Sequence, residues 1–385
     1  FLYLFFTTLA LATLAKGPVA LILLGITIFL FLLSEKDLFF LKHMASVKGI
    51  MLFAIIAVPW FIAISLKEKE FFNFFFIDQH ILRFLTTKHK RSGPIYYFLP
   101  VLFGGLFPWS IFLPRAVMRL WRVKELKLFF IWSAVVFVFF SISGSKLPPY
   151  ILPIFPGLSI ILGYFFERGW LNTKQNCEIM IYILCLLIFT IGGFVYASGM
   201  LDRYLNSLIH TSFTSKDIRG LSLGISIISL SMLIIMMFKK MRSLKSLAFM
   251  LWGFSFSIII VLMLHSHVID MVNTTKRLAQ RINAEKKPNA IIVNYGSFEE
   301  TLPFYTNGRT YLVSYTGELE MGSKYKDAKE FFLNEDEFVR LFRSEKDVWV
   351  VFKIKKFVRL KELLHIDANN IITCQDNRCL MNNRR

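Results

Sequence analysis

Between Phe1 and His265 the chain runs through nine apolar stretches, near residues 1–15, 18–33, 49–66, 95–117, 128–144, 150–166, 178–199, 219–238 and 246–265. Roughly 20 helical residues cross the hydrocarbon core of a bilayer, and most of these stretches approach that length. Lipid offers no partner for an open backbone N–H or C=O, so segments like these are expected to be helices. From residue 266 onward charged residues recur every few positions. The pattern predicts a polytopic α-helical membrane domain over 1–265, with about nine spans, and a soluble α/β domain over 266–385. Composition agrees: 55% of residues are hydrophobic, 42 are phenylalanine and mean hydropathy is +0.54, whereas a soluble domain is about 45–50% apolar.

The net charge of +19 invites a nucleic-acid reading, but its distribution argues against one. Residues 1–265 carry 25 Lys and Arg against 10 Asp and Glu, while 266–385 carry 20 against 16. The excess therefore sits in short loops between apolar runs, where basic residues orient helices. No basic stripe with interleaved aromatics is found in the tail, and no nucleic-acid partner is expected. RAVMRLWRVKELK and KKMRSLK are the strongly basic loops, and alternation puts both on one side, as cytoplasmic loops. SEKDLFFLKHMASVK and ERGWLNTKQN then share that side. Residues 67–94, 145–149, 200–218 and the tail fall on the other.

Three polar features gather on that other side. Lys16-Gly17-Pro18 breaks the first two apolar runs, and proline suits the first turn of the second helix. The loop containing FFNFFFIDQHILRF is too polar to span and too apolar to leave the surface, so it is expected to lie along the interface with Asp78, His80 and Arg83 embedded in it. His80 and Arg83 fit one helical face at i, i+3. Beyond it Lys88, Lys90 and Arg91 form a basic cluster suited to anionic headgroups of membrane lipids. The third feature is SGSKLPPYILP, where Pro148 and Pro149 stop helix continuation and stiffen a turn. That turn is expected to hold Lys146 and Tyr150 at the membrane–water boundary. Each feature also has a plainer use, as a snorkelling lysine, an amphipathic interfacial helix or an aromatic-belt tyrosine. Taken together, Lys16, Arg83, Lys146 and Tyr150 are donors without matching acids, and that combination points to a phosphate.

The tail alternates short β-rich runs, AIIVNYG, TYLVSY, DVWVVFK and NIITCQD, with more helical segments, FEETLPFY, NEDEFVRLFRS and FVRLKELLH. A small α/β sandwich with at least one crossover is expected. Cys374 and Cys379 can close a short disulfide loop or remain thiols, and Cys177 and Cys185 fall in or beside an apolar run.

TLAKGPVALIL, FFNFFFIDQHILRF with GPIYYFLPVLFGGLFPWSIFLP, and SGSKLPPYILPIFPGLSIILG occur in that order and at characteristic spacing. This set resembles the bacterial GT-C membrane glycosyltransferases related to 4-amino-4-deoxy-L-arabinose transferase of lipid A and to protein O-mannosyltransferases. The likeness covers residues 8–165 closely. It implies a multi-span bundle whose site lies at the outer face of the bacterial inner membrane, with the C-terminal domain in the periplasm. It also implies transfer of a sugar from a polyprenyl (undecaprenyl) phosphate carrier, with inversion, to lipid A, another glycolipid or a protein hydroxyl. By position, the arginine of HxxRF is Arg83 and the tyrosine of SKLPxY is Tyr150, and Lys16 and Lys146 match basic positions; all four would grip the carrier phosphate. Some relatives bind a divalent metal at positions corresponding to Asp78 and His80, with an upstream partner absent from this chain. The family's catalytic aspartate falls upstream of Phe1. The opening FLYLFFTTLALATLA has neither methionine nor basic leader, so an N-terminal part is expected to be missing and residues 1–385 alone to be inactive. The outer-face acids, Glu68, Glu70, Asp78, Asp202 and Asp217, sit in no general-base motif.

A transporter or flippase of a lipid-linked anion is the competing reading. Inverted repeats and helices broken at mid-membrane would mark one, and the charges here fall at run ends. A membrane-anchored binding module is the third, with the tail as its working part.

Overall fold

The computed structural model of the chain describes residues 1–86, 93–168, 176–200, 215–237, 244–266, 274–375 and 377–384. Lys88, Lys90, Arg91 and Asp202, with most of the loops ERGWLNTKQN and KKMRSLK, lie outside them. Two compact units divide the chain: Phe1–Cys185 with Met236–Ser255, and Leu186–Ile235 with Phe256–Arg385.

Among the described residues, five helices are long and apolar enough to cross a membrane: Val47–Lys67, Lys124–Ile142, Cys177–Ala197, Ile218–Met237 and Ser246–Leu264. Only 11–28% of each apolar window is buried. Apolar surface left outward on this scale is what a lipid-facing helix shows and a soluble one does not. Leu2–Lys16, Val19–Glu35 and Ile154–Glu167 are shorter apolar helices. The expected span at 95–117 is not straight. Ile95–Gly105 and Trp109–Leu120 meet at 114° across a break of LFP, where Pro108 has no N–H to continue the ladder. Each of the nine apolar runs thus has its helix or bent helix pair.

Within the first unit, Leu2–Lys16 packs on Val47–Lys67, Val19–Glu35 on Lys127–Ile142, and Lys127–Ile142 on Ile154–Glu167. At the far end of Val19–Glu35 from the Lys-Gly-Pro turn, Glu35 pairs with Lys127 at 2.8 Å and Lys124 at 3.5 Å. That end of the unit is therefore tied by the basic loop.

The C-terminal α/β domain lies in the second unit. Its six strands are β1 (Ile291–Tyr295), β2 (Tyr311–Val313), β3 (Phe332–Leu333), β4 (Val348–Lys353), β5 (Ile371–Gln375) and β6 (Arg378–Asn382), in the order β3-β2-β1-β4-β6-β5. The first four are parallel, and β6 runs antiparallel to both β4 and β5. Helices α1 (Lys276–Glu285) and α2 (Thr301–Thr306) share one apolar core, with Leu278, Ile282, Leu302 and Trp349. Helices α3 (Glu335–Phe342) and α4 (Phe357–Leu364) share the other, with Phe338, Val350, Phe352 and Leu360. Strand β4 reads as five buried residues in a row because both its faces are covered. Helix α3 begins where Asn334 accepts from the Glu337 N–H at 2.8 Å and donates its own N–H to the Glu337 carboxylate at 2.9 Å. Sequence reading found β1, β2, β4 and β5, but not β3, β6 or α1. Cys374 and Cys379 face each other across the β5–β6 hairpin and form a disulfide.

Asp347, just before β4, is 7% exposed. Burial, the largest influence, pushes its carboxyl up. The Lys287 N–H, Asn382, the Trp349 indole and the Arg384 charge together hold it below the usual carboxylate range. A depressed folded-state pKa gives stability that is present above the unfolded value and lost as pH falls through the folded one. Asp347→Asn is therefore expected to lower the domain's stability at neutral pH by about 1–3 kcal/mol. The difference from wild type should shrink under acid denaturation, followed by near-ultraviolet circular dichroism.

Candidate functional site

The Lys-Gly-Pro turn carries the interfacial segment. Gly17 has φ +71°, and a Cβ there would stand 2.6 Å from Nε2 of His80 and 3.0 Å from the Phe75 ring. Glycine is thus required both by backbone conformation and by close approach. Nε2 of His80 lies 3.2 Å from the Lys16 carbonyl, and Nδ1 lies 2.6 Å from the Phe75 carbonyl. The expected α-helix here is instead π-helical over Asn73–Leu82, followed by a turn of α-helix at Arg83–Leu85. Its aromatics pack in a chain, Trp60 on Phe71 and Phe71 on Phe75, with ring centroids at 5.7 and 5.2 Å. The wider turn replaces the expected i, i+3 partnership: Arg83 donates to the Gln79 side chain, four residues back, at 3.0 Å.

The other side of Arg83 meets SGSKLPPY. The N–H of Gly144 donates to the Phe84 carbonyl at 2.7 Å, and the Phe84 ring lies 4.7 Å from that of Phe139. A Cβ on Gly144 would stand 2.5 Å from the Thr86 carbonyl oxygen. The third motif is therefore seated on the backbone that directly follows Arg83. Through His80 on one side and Phe84 on the other, all three motifs share one end of the first unit.

Lys146 is not at the surface as expected. It is 7% exposed, and its ammonium donates to the carbonyls of Ser141 and Ser143 at 2.8 and 2.6 Å. Those carbonyls end the helix Lys127–Ile142, where a cation is stabilised by the open C=O groups and the helix dipole. Burial draws this ammonium below the ordinary lysine range. Lys146 thus holds the turn in shape, with at most one N–H left for a ligand. Tyr150 is half-buried and fixed by its ring against Phe140, centroids 5.1 Å apart. Lys16 is exposed.

Among the described residues, Nε of Arg83 and the hydroxyls of Ser141 and Ser145 are buried without a hydrogen-bond partner. Buried polar atoms are nearly always paired. Sequence reading missed both serines, because nothing in SISGSK tells an inward hydroxyl from an outward one. The three motif segments thus carry a guanidinium with one unpaired N–H among the described residues, an exposed lysine and a half-buried phenol, donor types that suit an anion with several acceptor oxygens.

A metal centre at Asp78 and His80 does not fit this geometry. Both ring nitrogens of His80 face backbone carbonyls, and the described residues contain no group of three His, Cys, Asp or Glu able to hold an ion. A cavity of about 360 Å³ between α1 and β5, lined by Arg277, Arg281 and Gln375 among others, belongs to the C-terminal domain and includes none of the motif residues.

Residues 278–380 match the family described as the aminoarabinose transferase C-terminal domain. The undecaprenyl phosphate-alpha-4-amino-4-deoxy-L-arabinose arabinosyl transferase of Erwinia tasmaniensis is 27% identical over 313 residues, 78% of this chain and 55% of that protein. The protein of the same name from Yersinia pestis is 32% identical over 169 residues, 41% of this chain and 30% of its own length. The crystal structure of ArnT from Cupriavidus metallidurans bound to undecaprenyl phosphate matches with a TM-score of 0.77 at 24% identity, over 99% of this chain and 68% of that one. The chain spans about half the length of the first of these curated relatives. The fold, a helical membrane-type part with a small C-terminal α/β domain, is that of this ArnT structure, and the likeness extends to both parts of the chain.

Proposed function

We propose that this chain, similar to the aminoarabinose transferases in its helical part and in its C-terminal domain, serves a glycosyltransferase that moves a sugar from undecaprenyl phosphate to an acceptor. The pentose 4-amino-4-deoxy-L-arabinose is the donor sugar that the relatives' names carry, and lipid A is the acceptor that the sequence resemblance implies. Arg83, Tyr150 and Lys16 hold the carrier phosphate, and Lys146 keeps the turn that presents Tyr150. The observation carrying this reading is the seating of Gly144 on Phe84, which joins the SKLPPY turn to the arginine whose Nε is buried and unpaired among the described residues.

The chemistry follows from charge. As the bond from sugar to phosphate breaks, negative charge grows on the leaving phosphate. Fixed cationic and phenolic donors stabilise that charge more in the transition state than in the ground state. Apolar helices beside the rim suit an isoprenoid tail, so the carrier stays in the bilayer throughout.

Residues 1–265 form the membrane domain and 266–385 a periplasmic domain of a multi-pass inner-membrane protein. Supporting this placement, the Cys374–Cys379 disulfide suits an oxidising compartment. The basic loop at Lys124 and Lys127 also lies at the end of Val19–Glu35 opposite the motif cluster.

Mass spectrometry of lipids that copurify with the protein expressed from its own gene tests the reading. A polyprenyl phosphate, free or sugar-bearing, is expected in wild type and depleted in Arg83→Ala. Bulk phospholipids alone, in both, would overturn it.

A further inference from the structure

The C-terminal domain has a topological switch point that the reading above does not use. From β1 the chain moves outward through α2 to β2 and then β3; from β3 it returns through α3 to β4, on the other side of β1. The connection leaving β1 enters α2, on one face of the sheet, and the connection leaving β4 enters α4, on the opposite face. Two adjacent parallel strands whose exits diverge leave a crevice at their carboxyl ends, and in open α/β sheets that crevice is where ligands bind.

The residues around it have one chemical character. Strand β1 exits through Gly296, with φ +68°, and Ser297. Among the described residues no acceptor is found for the N–H groups of Ser297 and Phe298. Strand β4 exits through Lys353-Ile354-Lys355-Lys356, with Lys355 and Lys356 exposed. The stem of Lys356 crosses the crevice onto Gly296, where a Cβ would come within 3.0 Å of its Cε. The carboxylate beside them, Glu299, is 8% exposed and already engaged by Arg378 at 2.5 Å and more loosely by Lys353 at 3.9 Å. Its charge is answered, and against Glu300, exposed in the same loop, the two lysines Lys355 and Lys356 remain in excess.

We infer that the crevice between β1 and β4 is a second anion site, built for the phosphoryl group of a phosphate monoester. The N–H groups of the β1 exit loop and the Lys356 side chain border it, and Lys355 precedes Lys356 in the turn that leaves β4. Lys356 is the movable part, since its stem must lift from Gly296 to admit a ligand.

Hydrogen–deuterium exchange of the whole protein in nanodiscs tests this, with inorganic phosphate and a short-chain phosphatidic acid as probes against chloride of equal ionic strength. Peptides covering 296–300 and 353–357 are expected to exchange about tenfold more slowly with probe at ten times its Kd. Protection should be lost in the Lys355→Glu, Lys356→Glu double variant and kept in Arg83→Ala, which separates this site from the carrier site. Protection by both probes assigns recognition to the phosphoryl group alone, and protection by the lipid only assigns it to a headgroup. No protection by either, or protection that survives the double substitution, overturns the site.

Discussion

Arg83→Ala lowers the affinity for undecaprenyl phosphate by about 10- to 100-fold, on the expectation that a hydrogen bond to a charged group contributes about 1.5–3 kcal/mol. The size of the effect follows from how the guanidinium is held. Nη1 is engaged by Gln79 at 3.0 Å, which fixes the plane of the fork, while Nε is buried and unpaired among the described residues. A phosphate arriving there gains a donor that is already desolvated and oriented, and the reorganisation cost is small. Arg83→Lys keeps the charge but loses the planar fork, so it should recover only part of the loss. Tyr150→Phe removes one neutral hydrogen bond and should cost less than Arg83→Ala. Native mass spectrometry of the detergent-solubilised protein, titrated with the lipid, measures all three. Affinities within twofold of wild type for both Arg83→Ala and Tyr150→Phe would sink the assignment, provided the variants keep wild-type helicity.

The helical architecture was legible because lipid imposes a simple rule: a run must be apolar and long, and hydropathy reads both. What hydropathy averages away is direction, so the 114° bend before Trp109 was invisible even though Gly104, Gly105 and Pro108 stand in plain view. The three motif segments were legible as a group, since their polar residues all fall at the ends of apolar runs on one side of the bilayer. The inward turn of Lys146 was not. Its acceptors are the backbone carbonyls of Ser141 and Ser143, freed by a helix end whose position sequence leaves uncertain by a few residues. In the C-terminal domain β4 announced itself by the apolar, β-rich run VWVVF. Strand β3 is only two residues long, and β6, RCLMN, places polar residues at both ends of its apolar centre.

The largest structural effect is expected from a residue with no chemistry of its own. Gly144→Ala would set a methyl 2.5 Å from the Thr86 carbonyl oxygen and 3.2 Å from that of Phe84. Both obstacles are backbone, so no side chain can swing aside to relieve them. The turn and the interfacial segment must separate, and the Gly144 N–H to Phe84 hydrogen bond at 2.7 Å is lost with the contact. Overpacking of this kind costs about 1–3 kcal/mol, and here it falls on a joint between the Arg83 segment and the turn that carries Tyr150. Gly144→Ala should therefore weaken carrier binding about as much as Arg83→Ala while leaving every donor in place. Gly163→Ala is the control: it adds the same methyl in a neighbouring helix, where nothing lies within 4 Å, and should leave binding unchanged. Thermal unfolding and lipid titration of the two variants, measured side by side, decide the point. If Gly144→Ala binds the lipid as tightly as Gly163→Ala, the site does not depend on the seating of SGSKLPPY against the arginine segment, and the joint is structural only.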